Sequence, residues 1–286
     1  MRASSLDRVD LYWREGSHGM KLRWPQHVGG RDVAGVVVEV GDSVGHVAVG
    51  DRVVASSERT HAELVLAPGS LTLALPEDVS FEAAGASPTA GRSAYAALVD
   101  KAKVTSTDTV LVIAAGSGVG SFGMQIALGT GCRVIATAGS SEKRQRALGM
   151  GADVVLDHYR DDLSQAVLAA TDGRGVDVVL DHAGAPVFAA CVDAMAPGGR
   201  FVSCGVTAGH RADIHLGKLF VKGLSLMGVG RPNDEEMRAH LSGLFEMIAD
   251  RRVAPQIQAT YSLDDIASAH DMLAGRDCFG KVVLTP

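Results

Sequence analysis

Short apolar runs recur through the middle of the chain: Thr109–Ala114, Arg133–Ala138, Asp153–Asp157, Val176–Asp181, Arg200–Cys204 and Leu224–Val229. Most are too short and too rich in Val and Ile to be helices. They lack strict polar–apolar alternation, so both of their faces are expected to be buried. Between the first five lie segments that read as helices, including Gly120–Gly129, Ser141–Gly149, Asp161–Ala170 and Pro186–Met195. Alternating strands and helices of this kind predict an α/β fold with a parallel, doubly wound sheet of six strands.

The flanks carry a different pattern. From Asp32 to Pro76 the runs DVAGVVVEVG, GDRVVAS, HAELVLAP and LTLALP are separated by turn residues and predict a mainly β module. After Gly230 the order is a helix over Glu235–Asp250, a strand over Gln256–Thr260, a helix over Leu263–Leu273 and a strand over Lys281–Leu284.

Composition narrows the partners. The net charge is −6 and no basic run occurs, whereas a nucleic-acid surface needs clustered Lys and Arg to displace phosphate counterions. The uncharged stretch Thr109–Cys132 is broken by Gly, Ser and Gln, so a membrane span is not expected. The N-terminus lacks the apolar core of a secretory signal. The four cysteines, Cys132, Cys191, Cys204 and Cys278, form no CxxC pair and read as reduced thiols of a cytoplasmic protein.

The loop after the first central strand is AAGSGVGS, Ala114 to Ser121. Small residues at a strand–helix turn let backbone N–H groups approach a pyrophosphate at the helix N-terminus. Ala115, Ser117 and Gly120 occupy the three positions of the GxGxxG dinucleotide fingerprint, with Gly118 added; only the third is glycine. The second strand ends in ATAGSSEKR. A carboxylate there accepts the ribose hydroxyls of NAD and repels a 2′-phosphate. Here the position falls to Ala138, followed by Gly139, Ser140 and Lys143, which favours NADPH. Ser140 and Ser141 also read as caps of the next helix, and both roles are compatible.

These motifs, with GGRDVAGVVVEVGDSVGHVAVGDRVVA, VVLDHYRDD, GRGVDVVLDHAG, APGGRFVSCGVTAG and FGKVVLTP, resemble the medium-chain dehydrogenase/reductase superfamily over essentially the whole chain. The nearest branch is that of zinc-type alcohol dehydrogenases and quinone oxidoreductases. The resemblance implies a GroES-like β domain over 1–88, a Rossmann NADP-binding domain over 89–229 and a return to the β domain over 230–286, with the active site in the cleft between domains. Relatives begin with more residues before the motif at Asp7, so the β domain is expected to be incomplete at its N-terminus. By the same resemblance the cofactor is lined by Ser93, by the loop Gly116, Ser117, Gly118, Val119 and Gly120, and by Ala138, Gly139, Ser140, Lys143 and Tyr159. Three further turns are implied: His182, Ala183 and Gly184; Cys204, Gly205 and Val206; and Gly228, Val229 and Gly230. Lys281 and Arg8 match positions where relatives place a base near the pyrophosphate. Family members commonly dimerise through the sixth strand, here Leu224–Val229.

The family's zinc ligands do not carry over. The Cys of the CxxD context is Asp7, followed by Arg8, Val9 and Asp10; GHE has become Gly30-Arg31-Asp32; the third ligand falls on Thr89. The four-cysteine lobe expected between Ser56 and His61 is absent from the sequence. Zinc takes Cys, His or carboxylate ligands in a tetrahedral shell, so no metal is expected. The implied reaction is hydride transfer from NADPH to a quinone or an α,β-unsaturated carbonyl, which needs a donor for the developing oxyanion rather than a Lewis acid. Two alternatives remain open: a metal-free dehydrogenase of another small alcohol or carbonyl, and a non-catalytic NADPH-binding or sensing protein. The candidate catalytic residues are Tyr12, as donor, Arg31, as oxyanion partner, and Asp7 beside Asp10. Tyr12 also reads as a half-buried aromatic, Arg31–Asp32 as a structural ion-pair network, and His61 and His182 as either acid–base or structural histidines.

Overall fold

The computed structural model describes residues 1–21, 28–275 and 277–286. The chain divides into two units, Met1–Arg92 with Pro232–Pro286, and Ser93–Arg231.

The first unit opens with β1 (Ala3–Leu6), β2 (Asp32–Val36), β3 (Arg52–Ser56) and β4 (Thr72–Ala74), each antiparallel to the next. Strand β1 is fully buried although its centre is Ser4-Ser5. The hydroxyls satisfy that burial: Ser4 Oγ donates to the Asp32 carbonyl at 2.6 Å and Ser5 Oγ to Asp32 Oδ2 at 3.1 Å. The helix Arg8–Glu15 follows at once. It ends at Gly16, whose φ of 64° is the left-handed conformation that closes many helices.

The expected strand over HAELVLAP does not form. His61–Pro68 runs as bends and irregular backbone, with Leu64 75% and Leu66 93% exposed. Its apolar residues have no buried face to fill, so the pattern that signals a strand has no packing behind it.

The second unit holds β5 (Thr109–Val112), β6 (Arg133–Thr137), β7 (Val154–Leu156), β8 (Val176–Asp181), β9 (Met195–Ser203) and β10 (Ser225–Gly228). All pair in parallel, in the order β10-β9-β8-β5-β6-β7. The expected doubly wound sheet is therefore present. Strand order reverses between β5 and β8, and in such sheets ligands bind at the carboxyl ends of the strands at that point. Val110, Leu111, Val112, Val178, Val179 and Leu180 are all inaccessible to solvent, which accounts for their unbroken apolar runs.

Helices Gly118–Gly129, Ser141–Gly149, Leu163–Ala170 and Ala185–Ala194 connect the strands. The first packs closely: a Cβ on Gly123 would stand 2.1 Å from Leu180 Cδ2. Leu163, Val167, Cys191 and Phe201 fill one side of the core, with Phe188 edge-on to Phe201. The helix Leu216–Lys222, which the apolar pattern did not single out, leaves Leu216, Phe220 and Val221 exposed.

The chain then returns to the first unit through helix Asp234–Ala249, whose start is a capping box between Asn233 and Glu236. Strands β11 (Ile257–Ser262) and β12 (Lys281–Thr285) complete that unit's sheet in the order β11-β12-β1-β2-β3-β4. Leu6, Leu11, Ala269, Leu273, Val282 and Leu284 form the core beneath β1 and β12.

Candidate functional site

In the second unit, β5 runs into a turn that its neighbours hold shut. Ala114 has a φ of 51°, a region that residues with a Cβ seldom occupy. Its N–H donates to Thr137 Oγ1 at 2.9 Å and that of Ala115 to the Thr137 carbonyl at 2.8 Å. Ser117 caps the helix Gly118–Gly129 by accepting from the Gly120 N–H at 2.9 Å. A Cβ on Gly120 would lie 2.2 Å from the Ala114 carbonyl oxygen, so only glycine lets the helix start cross the turn. Gly116, Ser117, Gly118, Val119 and Gly120 thus form a backbone cradle at a helix N-terminus, where free N–H groups and the helix dipole favour an anion.

The end of β6 lies beside this turn. Ala138 is buried, and its N–H donates to the Leu156 carbonyl at 3.0 Å. Ser140 caps the next helix by accepting from the Lys143 N–H at 3.3 Å, so the capping role is real. The Tyr159 ring, 69% exposed, rests on Gly139, where a Cβ would stand 2.3 Å from Cε2. Gly139, Ser140, Lys143 and Tyr159 are thereby gathered at one strand end.

Four residues there escaped the sequence reading. Arg144 donates to the Ala138 carbonyl at 3.3 Å and pairs with Asp157 at 2.7 Å. The Tyr159 N–H and then Arg144 hold the Asp157 carboxyl below its usual range. His158 Nδ1 meets Thr137 Oγ1 at 3.0 Å, and burial pulls this imidazole below its ordinary pKa. Histidine and Arg directly flanking the expected phosphate positions were the only local signals for this group.

The ends of β8 and β9 close the remaining side. Asp181 accepts from the N–H groups of Ala183 at 2.9 Å and Gly184 at 3.0 Å. Burial pushes its carboxyl up to about 6 against those bonds. Gly184, with φ of 89°, has the Gly209 carbonyl oxygen 2.1 Å from where a Cβ would be. His182 Nε2 lies 2.8 Å from Ser117 Oγ. Cys204 N–H donates to the Asp181 carbonyl at 2.9 Å, Gly205 lies against His182, and half-exposed Val206 follows. Val229 N–H donates to the Ser203 carbonyl at 3.1 Å, which sets Gly228, Val229 and Gly230 next to β9. Ser93 is half-buried on the helix Pro88–Tyr95.

The first unit contains a buried polar cluster. Lys281 Nζ is 2.5 Å from Asp7 Oδ1 and 3.7 Å from Asp32 Oδ2, and the residue is only 2% exposed. Asp32 Oδ1 also accepts from Thr89 Oγ1 at 2.5 Å and Thr89 N–H at 3.0 Å. Burial, reinforced by Asp7, drives the Asp32 carboxyl up to about 7 although Lys281 opposes the shift. Burial alone would lower Lys281, yet Asp7 and Asp32 outweigh it and raise the ammonium's pKa. Lys281, expected from the resemblance to lie near the pyrophosphate, has its ammonium paired with Asp7 and close to Asp32. Arg8 is exposed on the first helix.

Of the catalytic candidates, Asp7 is buried with Oδ1 engaged by Lys281, while Oδ2 has no hydrogen-bond partner among the described residues. Asp10 is structural, accepting from the Gly30 N–H at 2.9 Å and the Asp7 N–H at 2.8 Å. Tyr12 is half-buried and stacks on His18 with centroids 3.8 Å apart; burial raises its phenol pKa. Arg31 lines an open groove of about 550 Å³ with Ser56, Ser57, Leu66, Leu71 and Met237. His61 donates from Nε2 to the Ser5 carbonyl at 3.3 Å, and burial lowers its pKa. The family's zinc positions do not fit the metal: Asp7 is claimed by Lys281, Thr89 by Asp32, and Arg31 is a cation. Among the described residues no three His, Cys, Asp or Glu are grouped to hold an ion.

A doubly wound parallel sheet with a glycine-dependent anion cradle at its switch point defines a dinucleotide-binding protein of the Rossmann class. Family comparison agrees. The model of the alcohol dehydrogenase GroES-like domain matches residues 1–108, and that of the zinc-binding dehydrogenases matches residues 118–246. The quinone oxidoreductase of Pseudomonas aeruginosa is 31% identical over 292 residues, covering 100% of this chain and 89% of that protein. The structure of Escherichia coli quinone oxidoreductase complexed with NADPH is similar with a TM-score of 0.88 at 30% identity, over 100% of this chain and 90% of that one. An NAD-dependent alcohol dehydrogenase has a TM-score of 0.91 at 33% identity with the same two coverages. The chain belongs to the medium-chain dehydrogenase/reductase superfamily, as a quinone oxidoreductase-like, NAD(P)H-dependent oxidoreductase.

Proposed function

We propose that the protein reduces a quinone, or the C=C bond of an α,β-unsaturated carbonyl, with NADPH and without zinc. One observation carries the cofactor choice. Where an NAD enzyme presents a carboxylate, β6 is followed by Ala138, Gly139 and Ser140, with Lys143 in the next helix's first turn and Tyr159 over Gly139. These groups suit a 2′-phosphate: a hydroxyl, an ammonium and a phenol, with Arg144 nearby on Asp157.

NADPH supplies the hydride. The N–H groups of Gly118 and Val119 would hold its pyrophosphate, and Ser140, Lys143 and Tyr159 its 2′-phosphate. In this reading Arg31 neutralises charge developing on the substrate oxygen, and Tyr12, its phenol kept protonated by burial, is the hydrogen-bond donor. A quinone needs no metal to accept hydride, which matches ligand positions filled by Asp7, Arg31 and Thr89.

Titration of the purified protein with NADPH and with NADH, followed by turnover with a quinone and enone panel, tests the reading. NADPH is expected to bind more tightly by at least about tenfold. Preference for NADH overturns the cofactor choice. Tight NADPH binding without turnover of any acceptor favours a sensing role.

The quaternary proposal is a homodimer in which β10 pairs with its counterpart. Strand β10 ends the sheet order, so its outer edge has no strand partner among the described residues. Sedimentation equilibrium at micromolar concentration, with Met227→Pro to block edge pairing, checks it. The acidic charge and free cysteines fit a cytoplasmic protein, and no described helix is long and apolar enough to cross a membrane.

A further inference from the structure

We infer that His182 is a positioning residue for the dinucleotide: through Ser117 it fixes the turn and helix start that receive the pyrophosphate. The inference rests on the NADPH reading above and names the device that prepares that site.

A serine side chain has three staggered wells, and one N-cap bond leaves the cap free to fray. Ser117 Oγ has two partners, the Gly120 N–H at 2.9 Å and His182 Nε2 at 2.8 Å. The hydroxyl oxygen accepts from Gly120, and the second bond holds the Ser117 rotamer in place from the other side. His182 is well placed to impose this because its own backbone is braced. Its carbonyl accepts from Thr207 N–H at 3.0 Å and Thr207 Oγ1 at 3.1 Å. Gly205 leaves room for that approach, since a Cβ there would stand 3.1 Å from the same carbonyl oxygen. On either side Asp181 is tied to Cys204, Ala183 and Gly184. His182 is only 8% exposed, which suits a brace better than a group that contacts ligand directly.

The phosphate turn is thus clamped from both strands that flank β5. Thr137 of β6 holds Ala114 and Ala115, and His182 at the end of β8 holds Ser117. Ala114 sits in sparsely populated backbone space, a conformation that persists only where its surroundings enforce it. Ordering this turn before the ligand arrives removes a cost otherwise met on binding.

The test is a double-mutant cycle on NADPH affinity, with amide exchange of the free protein beside it. His182→Ala and Ser117→Ala are each expected to raise the NADPH Kd about tenfold, and the double variant no further. His182→Gln, whose side-chain amide can present either its oxygen or its nitrogen to Ser117, should recover most of the affinity. The kcat at saturating NADPH should stay within about twofold, because the chemical step is untouched. In the free protein His182→Ala should speed exchange at the Gly120 amide, whose hydrogen bond is to Ser117. Additive losses, an unchanged Kd or unchanged exchange would each overturn the inference. Failure of the unaltered protein to bind either dinucleotide would instead overturn the cofactor reading, and the exchange result would still decide the clamp.

Discussion

Lys281 in the last strand and Asp7 at the start of the first helix form a buried ion pair 2.5 Å long, with Asp32 behind it. The pair joins the two ends of the sequence across neighbouring strands β1 and β12. Removing one member of such a group leaves the other charge buried without compensation, which costs about 3–5 kcal/mol. Lys281→Ala is expected to lose stability on that scale, read as a lower urea midpoint. Because Lys281 is held inside its own unit, variants that remain folded should keep their NADPH affinity. A loss of affinity in folded Lys281→Met protein would instead give Lys281 a role in cofactor binding.

The same cluster predicts an unusual pH dependence. Asp32 is pushed up to about 7 from an ordinary 3.8, so between these values the folded protein binds a proton that the unfolded chain releases. Stability from this group is therefore full below about pH 4 and lost as pH rises toward 7. Asp181, pushed up to about 6, acts in the same direction over a narrower window. Denaturant melts from pH 4 to 8 should show a smaller fall across this range in Asp32→Asn than in the unaltered protein. Parallel profiles would show that Asp32 titrates normally.

How much of this was legible in the sequence depends on what each residue packs against. The six parallel strands could be read because both faces are buried, so Val110–Val112 and Val178–Leu180 are apolar without interruption. Strand β1 could not, since Ser4 and Ser5 look like loop residues until Asp32 supplies their partners. At His61–Pro68 the reverse holds: Leu64 and Leu66 imitate a strand in sequence yet are exposed. At the site, Gly120 and Gly184 carry their backbone demands in their identity. Thr137, Arg144, Asp157 and His158 do not, because their bonds cross from one strand end to the next and no local window contains both partners.

Lys143 gives the sharpest test of cofactor choice. An ammonium that meets the 2′-phosphate contributes to NADPH and has no counterpart in NADH. Lys143→Ala should weaken NADPH by about tenfold and leave NADH nearly unchanged, by calorimetric titration. The helix cap should survive, since Ser140 is bonded to the backbone N–H of residue 143 and not to its side chain. Equal weakening of both dinucleotides would place Lys143 elsewhere on the cofactor.

Gly120 tests the cradle by geometry alone. In Gly120→Ala the new methyl would face the Ala114 carbonyl oxygen at 2.2 Å and the Ala115 Cα at 2.9 Å, both backbone atoms that cannot rotate aside. The turn must open, and the Ser117 cap on residue 120 opens with it. The strands of the second unit draw their stability from contacts such as Leu111 with Val179 and Ile135, so the sheet should persist. The expected outcome is a protein with native far-ultraviolet circular dichroism, a melting temperature lower by several degrees, and dinucleotide affinity reduced by about a hundredfold or more. Near-normal affinity for NADPH in this variant would mean that the pyrophosphate does not sit on the Gly118–Gly129 helix start.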